Sequence, residues 1–153
     1  MTPELHPKAD SCHCLALREA SRHVSQFYDR FLAPLGLRTT QFSILAKLRR
    51  LGPTTINALA RELVMDRTTL GRNVLPLERE GLIAIVKGSS DRRSKELHLT
   101  EAGAARLRAA ASGWAEAQAQ FEAIFGGARA SELHSLLHAV SATALGRASA
   151  EAP

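Results

Sequence analysis

The chain has 153 residues, 45% of them hydrophobic and 23% charged, which suits one folded unit with a real core and excludes intrinsic disorder. No apolar run approaches the roughly 18–20 residues of a membrane span. The opening MTPELHPKADS is polar with no apolar signal core, so membrane and export classes are set aside, and the cytoplasm is the expected compartment. The net charge is +5, but residues 38–99 hold twelve Lys/Arg against six Asp/Glu, while the rest of the chain holds eight against nine. The whole basic surplus sits in the middle of the sequence, as a phosphate-facing surface requires, although a solvated basic face would look similar.

Residues 1–9 contain two prolines and no periodicity and read as a loose tail. A long helix is expected from Asp10 or Ser11, either of which can cap it, to Ala33, with Leu17, Val24, Phe27, Tyr28, Phe31 and Leu32 at helical spacing. Pro34 and Gly36 end it. A second helix, about Thr40 to Leu51, turns Phe42, Ile44, Leu45 and Leu48 inward and stops at Gly52-Pro53. Thr54-Thr55-Ile56 reads as a short strand leading into a third helix over about Asn57–Val64.

After a tight turn at Met65-Asp66, Asp66 is placed to accept hydrogen bonds from the first amides of a fourth helix. Leu70, Val74 and Leu77 form that helix's buried stripe, and Thr68, Thr69, Arg72, Pro76 and Arg79 face away from it. Pro76 removes one backbone bond and Gly81 ends the helix. Two alternating strands, Leu82–Lys87 and Glu96–Leu99, flank the charged loop GSSDRRSK. Thr100 caps a further helix to about Phe125, with Leu107, Ala111, Trp114, Gln118, Phe121 and Phe125 stepping at three and four. Gly126-Gly127 breaks the chain before a last helix, about Ser131 to Arg147, with Leu133, Leu136, Leu137 and Val140 on one face.

The expected fold is therefore mainly α with a small β wing: a winged helix-turn-helix over residues 38–99. Helices over 10–36 and 100–148 flank it. Their apolar stripes exceed what the central unit can cover, and pairing with a second copy is the economical way to bury them.

Asp91, Arg93, Leu99, Thr100 and Gly103 spell Asp-x-Arg, five residues, then Leu-Thr-x-x-Gly, and ARELVMDRTTLGRNVLPLEREGLI precedes them. In these motifs, including Leu59-Ala60, Leu77-Glu78 and Gly81-Leu82-Ile83, the sequence resembles the MarR family of bacterial transcriptional regulators. The resemblance extends over essentially the whole chain. It implies a triangular homodimer, with terminal helices interleaved and two reading heads on one pseudo-palindromic operator.

Within the fourth helix, Thr68, Thr69, Arg72 and Asn73 are the side chains able to meet base edges or phosphates. Arg suits guanine and Asn suits adenine, each through two contacts. Arg67, Thr55 and Asn57 lie at helix starts, where a phosphate is approached. In the loop, Lys87, Ser89, Ser90, Arg92, Arg93 and Lys95 are candidates for backbone or minor-groove contact. Asp91 is out of place against DNA, and its expected role is to hold Arg93 in a carboxylate–guanidinium pair that shapes the wing. The alternative for the whole set is an ordinary solvated surface.

Cys12, His13 and Cys14 admit three readings. With His6 or His23 they would make a metal site, but no ligand spacing supports one. As free cysteines they would be small buried apolar residues. The third reading is oxidant sensing. Cys14 near the start of the first helix with Tyr28 fourteen residues on resembles the organic-hydroperoxide-sensing branch of the family, where tyrosines hydrogen-bond the oxidised cysteine. Arg18 and Thr39 stand where that branch has further tyrosines, and Arg18 one turn on is placed to favour a thiolate. Tyr28, Phe31, Phe42 and Trp114 either line a small-molecule cavity or are plain core. His134 and His138 read as a solvated pair.

No nucleophile–base set, glycine-rich phosphate loop, metal box or cofactor motif is legible, so enzymatic function is not expected. The expected function is a homodimeric repressor that binds double-stranded DNA and is released by a small-molecule effector, with cysteine oxidation as the alternative signal. A protein-binding helical scaffold is the rival of another class.

Overall fold

The computed structural model describes residues 8–145. Residues 1–7 of the tail expected over 1–9 and the expected helical end at Arg147 lie outside that range, while Ala9 already begins a 3-10 turn. The helices are α1 (His13–Leu32), α2 (Thr39–Leu51), α3 (Ile56–Glu62), α4 (Arg67–Arg79), α5 (Glu101–Phe125) and α6 (Gly127–Ala142). The strands β1 (Thr54–Thr55), β2 (Ile83–Lys87) and β3 (Lys95–Leu99) form one antiparallel sheet in the order β1-β3-β2. β2 and β3 pair in register from Ile83↔Leu99 to Lys87↔Lys95, and Thr54 sits opposite Leu97.

The helix boundaries that differ most from the sequence reading are those of α1 and α6. α1 starts at His13, with Cys12 rather than Asp10 or Ser11 as its cap, because Ala9–Ser11 forms a separate 3-10 turn. α6 starts four residues earlier than expected, because only Gly126, at φ 100, breaks the chain, and Gly127 already belongs to the helix. It ends at Ala142, where Thr143 turns extended.

The core belongs to the middle of the chain. Leu32, Ile44, Leu45, Leu48, Leu59, Leu70, Val74, Leu77, Leu82, Ile83 and Leu97 are each at most 2% exposed, and they come from α1 through α4 and both wing strands. The α4 stripe Leu70–Val74–Leu77 is the one read from the sequence. The turn between α3 and α4 is closed by Met65 N on Ala60 O at 2.9 Å, which forces Val64 to φ 51. A β-branched residue in that region is strained, and its side chain stands 75% exposed.

α5 is phased differently from the sequence reading. Gly103, Leu107, Ala110 and Ala117 are buried, whereas Ala111 is exposed and Trp114 is 41% exposed. The cause is a close crossing with α1: a Cβ on Gly113 would stand 2.6 Å from Phe31 O. Small residues line such a crossing because large ones would hold the backbones apart. The apolar stripes of the outer helices remain uncovered, with Leu17, Ile124, Leu136, Leu137 and Val140 all exposed.

Gly113→Ala is expected to destabilise the fold by about 1–3 kcal/mol, the typical cost of overpacking, since backbone rather than a flexible side chain must give way. Denaturant midpoints of wild type and variant would check this; an unchanged midpoint would mean the α1–α5 crossing is looser than described.

Candidate nucleic-acid interface

The reading face begins with the cap of α4. Asp66 is extended (φ −70, ψ 152), and its Oδ1 accepts from Thr69 N at 2.8 Å while Oδ2 accepts from Thr69 Oγ1 at 2.6 Å. These bonds, the side-chain one first, hold the Asp66 carboxyl below its usual range. One turn on, Asn73 Nδ2 donates to Thr69 O at 2.8 Å. Two of the four expected reading residues are thus partly committed to their own helix. Thr68 and Arg72 are exposed and make no side-chain hydrogen bond or ion pair among the described residues.

Thr55 and Asn57 divide similarly. Thr55 Oγ1 accepts from Ala58 N at 3.2 Å and caps α3, while Thr55 pairs across the sheet with Glu96. Asn57 is exposed in the first turn of α3.

The wing loop is closed by Gly88 N on Ser94 O at 2.8 Å, Ser94 N on Asp91 O at 3.1 Å and Ser94 Oγ on Asp91 O at 2.8 Å. Asp91 does not hold Arg93 by its guanidinium: no ion pair between them exists among the described residues. Its Oδ1 instead accepts from Arg93 N at 2.9 Å. An aspartate two residues ahead of an amide reaches it easily in a turn, and the bond leaves the Arg93 side chain free. Lys87, Ser89, Ser90, Arg92, Arg93 and Lys95 are all exposed.

Four cations outside these surfaces are paired. Arg50 and Lys47 reach Glu62 at 2.8 and 3.9 Å, Arg108 reaches Glu101 at 3.2 Å, and Arg106 reaches Glu80 at 3.5 Å. Arg67, Arg72, Lys87, Arg92, Arg93 and Lys95 enter no ion pair among the described residues. Their exposed, unneutralised charges can attract a polyanion.

The expected sensor residues are more scattered. Cys12 and Cys14 are free and exposed rather than buried, and Cys12 Sγ caps α1 by accepting from Leu15 N at 3.5 Å. Tyr28 OH donates to Gln118 Oε1 at 2.5 Å rather than to a cysteine, and burial first, then Glu122, raises its pKa. Tyr28, Phe42 and Trp114 line an open cavity of about 490 Å³ together with Thr39, Lys47 and Arg50. Phe42 and Trp114 stack there at 6.3 Å and 14°. Phe31 is not part of that lining; its ring packs on Phe27 at 5.2 Å and its carbonyl backs onto Gly113.

Two residues that positioned these parts were missed. Asp29 Oδ1 accepts from both Thr39 N and Thr39 Oγ1 at 2.6 Å, capping α2 from α1. Arg106 is the other. Neither follows from local spacing.

The MarR family model matches residues 37–95, which run from just before α2 to the first residue of β3. The M. tuberculosis transcriptional regulator MosR in complex with DNA superposes with a TM-score of 0.74 at 36% identity, covering 86% of this chain and 98% of that one. The chain belongs to the MarR family of DNA-binding transcriptional regulators. The transcriptional repressor CouR bound to a 23-mer DNA duplex superposes with a TM-score of 0.77 at 27% identity, covering 86% and 94%. The organic hydroperoxide resistance transcriptional regulator of Bacillus subtilis (strain 168) is 29% identical over 99 residues, 65% of this chain and 67% of its own length. Members of the family are regulators rather than enzymes, and no helix among the described residues is long and apolar enough to cross a membrane.

Because the folded Asp66 carboxyl titrates below its unfolded value, its stabilising contribution is complete above the ordinary carboxylate range. It is lost as pH falls through the lowered value. Asp66→Asn keeps an acceptor for Thr69 N but has nothing to titrate. The difference between wild-type and variant thermal midpoints, followed through the acid range, is expected to shrink as pH falls; a constant difference would remove Asp66 from the acid response.

Proposed function

We propose that the protein is a homodimeric repressor that presents two α4 helices to successive major grooves of a pseudo-palindromic operator. The observation that carries this is the exposed, unpaired Arg72 on α4, flanked by the unpaired cations of the wing. On this reading Arg72 and Thr68 meet base edges, and Asn73 and Thr69 contribute what their local bonds leave free. Arg67, Thr55 and Asn57 approach phosphates from helix starts. Arg92 and Arg93, with Lys87, Ser89, Ser90 and Lys95, follow the backbone or enter the minor groove, and Asp91 shapes the loop that carries them.

The dimer rests on the uncovered stripes of α1, α5 and α6, which are too apolar to be left in water. It must hold the two recognition helices about 34–36 Å apart. The cavity between α1, α2 and α5 is the proposed effector site: its stacked Phe42 and Trp114 together with Lys47 and Arg50 suit a flat, anionic small molecule. Seated there it would spread α2 from α5, and with them the heads.

Arg72→Ala is expected to remove sequence-specific binding while the dimer persists in light scattering. Wild-type affinity should fall steeply and linearly in log salt. Full affinity in the variant would sink the assignment of α4, and salt-independent binding would favour a protein-binding scaffold instead.

A second reading, cysteine-based release, is favoured by the exposure of Cys12 and Cys14 at the start of α1 and by likeness to the hydroperoxide-resistance regulator. A Cys14 thiolate would attack the peroxide oxygen, giving Cys14 sulfenic acid and releasing the alcohol of an organic hydroperoxide. Cys14→Ser is expected to leave DNA binding intact and abolish release by cumene hydroperoxide. A wild type that stays bound under peroxide leaves the ligand reading alone.

A further inference from the structure

The start of α5 meets the turn that closes α4 at three positions spaced three apart. Thr100 Oγ1 donates to Gly81 O at 2.6 Å and Thr100 N donates to Leu82 O at 3.2 Å. Gly103 lies so close to Leu82 O that no Cβ fits. Arg106 Nη1 stands 3.5 Å from Glu80 Oε2, and the same nitrogen donates to Leu35 O at 3.1 Å, in the turn between α1 and α2. Gly36 beside it turns the chain at φ 70.

One planar side chain thus spans α5, the α1–α2 turn and the C-terminal end of the recognition helix. With 33% of its own side chain and 46% of Glu80's exposed, the pair is screened and adds little to global stability. What a guanidinium adds is direction, because its N–H groups are fixed in one plane.

We propose that Arg106 is a positioning residue for DNA recognition, setting the angle of α4, and so of Arg72, against the α1–α5 scaffold. The inference rests on the DNA-binding reading of α4. A shift of the α1–α2 turn carries Leu35 O with it, and through Arg106 and Glu80 it reaches the base of α4 without touching the DNA-facing side chains. Thr100 and Gly103 hold the same turn in place, so Arg106 controls tilt about that pivot rather than attachment.

The test compares wild type, Arg106→Lys, Arg106→Gln and Glu80→Gln by fluorescence anisotropy over a series of KCl concentrations. The probe is the tightest duplex that the wild-type protein selects from a randomised pool. Arg106→Gln and Glu80→Gln are each expected to weaken binding roughly tenfold, with unchanged dimer mass and an unchanged salt slope. Arg106→Lys, which keeps the charge but not the fork, should weaken it in the same direction. If Arg106→Gln does not fold, the other two variants carry the test.

A salt slope shallower by about one in Arg106→Gln would make Arg106 a phosphate contact and overturn the inference. Tighter binding by Glu80→Gln, as loss of a negative charge alone would give, overturns it too. So does a lowered thermal midpoint with wild-type affinity well below that midpoint. A wild type that binds while all variants match it defeats this inference alone; a wild type that selects no duplex defeats the DNA-binding reading as well.

Discussion

The hydroxyl of Thr100 faces two ways: it donates to Gly81 O at 2.6 Å and accepts from Gly103 N at 3.0 Å. One group therefore closes the end of the recognition helix and starts α5. Gly81 can be that end because it adopts φ 72, which lets Leu82 N return to Leu77 O at 2.9 Å. Ile83 then begins β2 at once, with the wing following it and β3 returning to Thr100. Recognition helix, wing and flanking scaffold all leave from this corner. Their relative orientation depends on these short bonds together with the apolar core that α1, α4, α5 and the wing strands share.

The charges are arranged to the same end. Glu62 holds Arg50 and Lys47 at the α2–α3 junction and Glu80 holds Arg106 at the corner. Two aspartates of the reading unit are turned onto backbone amides, Asp66 to Thr69 N and Asp91 to Arg93 N. An aspartate that caps an amide costs the DNA-facing surface little, because its charge is spent on donors within hydrogen-bond reach. The arginines beside them are left unpaired, which a polyanion rewards and a water-facing surface tolerates.

How much of this could be read beforehand followed the range of the interactions. Asp66, Thr100 and the Leu70–Val74–Leu77 stripe act over three or four residues, and local spacing reveals them. The motif from Asp91 to Gly103 was legible as a spacing, yet its chemistry was misread at Asp91. Charge complementarity suggests a guanidinium partner, whereas turn geometry brings the amide closer. The phase of α5 was misread because large residues were taken for the core stripe. At a crossing set by Gly113 against Phe31 O, the alanines 110 and 117 go inside and Trp114 stays half out. Asp29–Thr39 and Arg106–Leu35 join residues 10 and 71 apart, and no periodicity announces such bonds. The same holds for the strained turn at Val64, where glycine would be expected.

On the proposed reading, the signal has to cross from the helices that pair two copies to α4, and the routes across are few. α1 reaches α2 through Asp29 on Thr39, and it reaches α5 through the Phe31–Gly113 crossing. The cavity lined by Tyr28, Phe42 and Trp114 also takes in Thr39 of the first attachment, so an occupant that moves α1 relative to α2 would strain it. A cysteine at the start of α1 acts on the same lever from its far end. Small-molecule release and oxidative release would then be two ways of moving one helix, and α4 would not need to distinguish them. On that reading the linkage at the base of α5, rather than the chemistry of the signal, would be the element on which regulation turns.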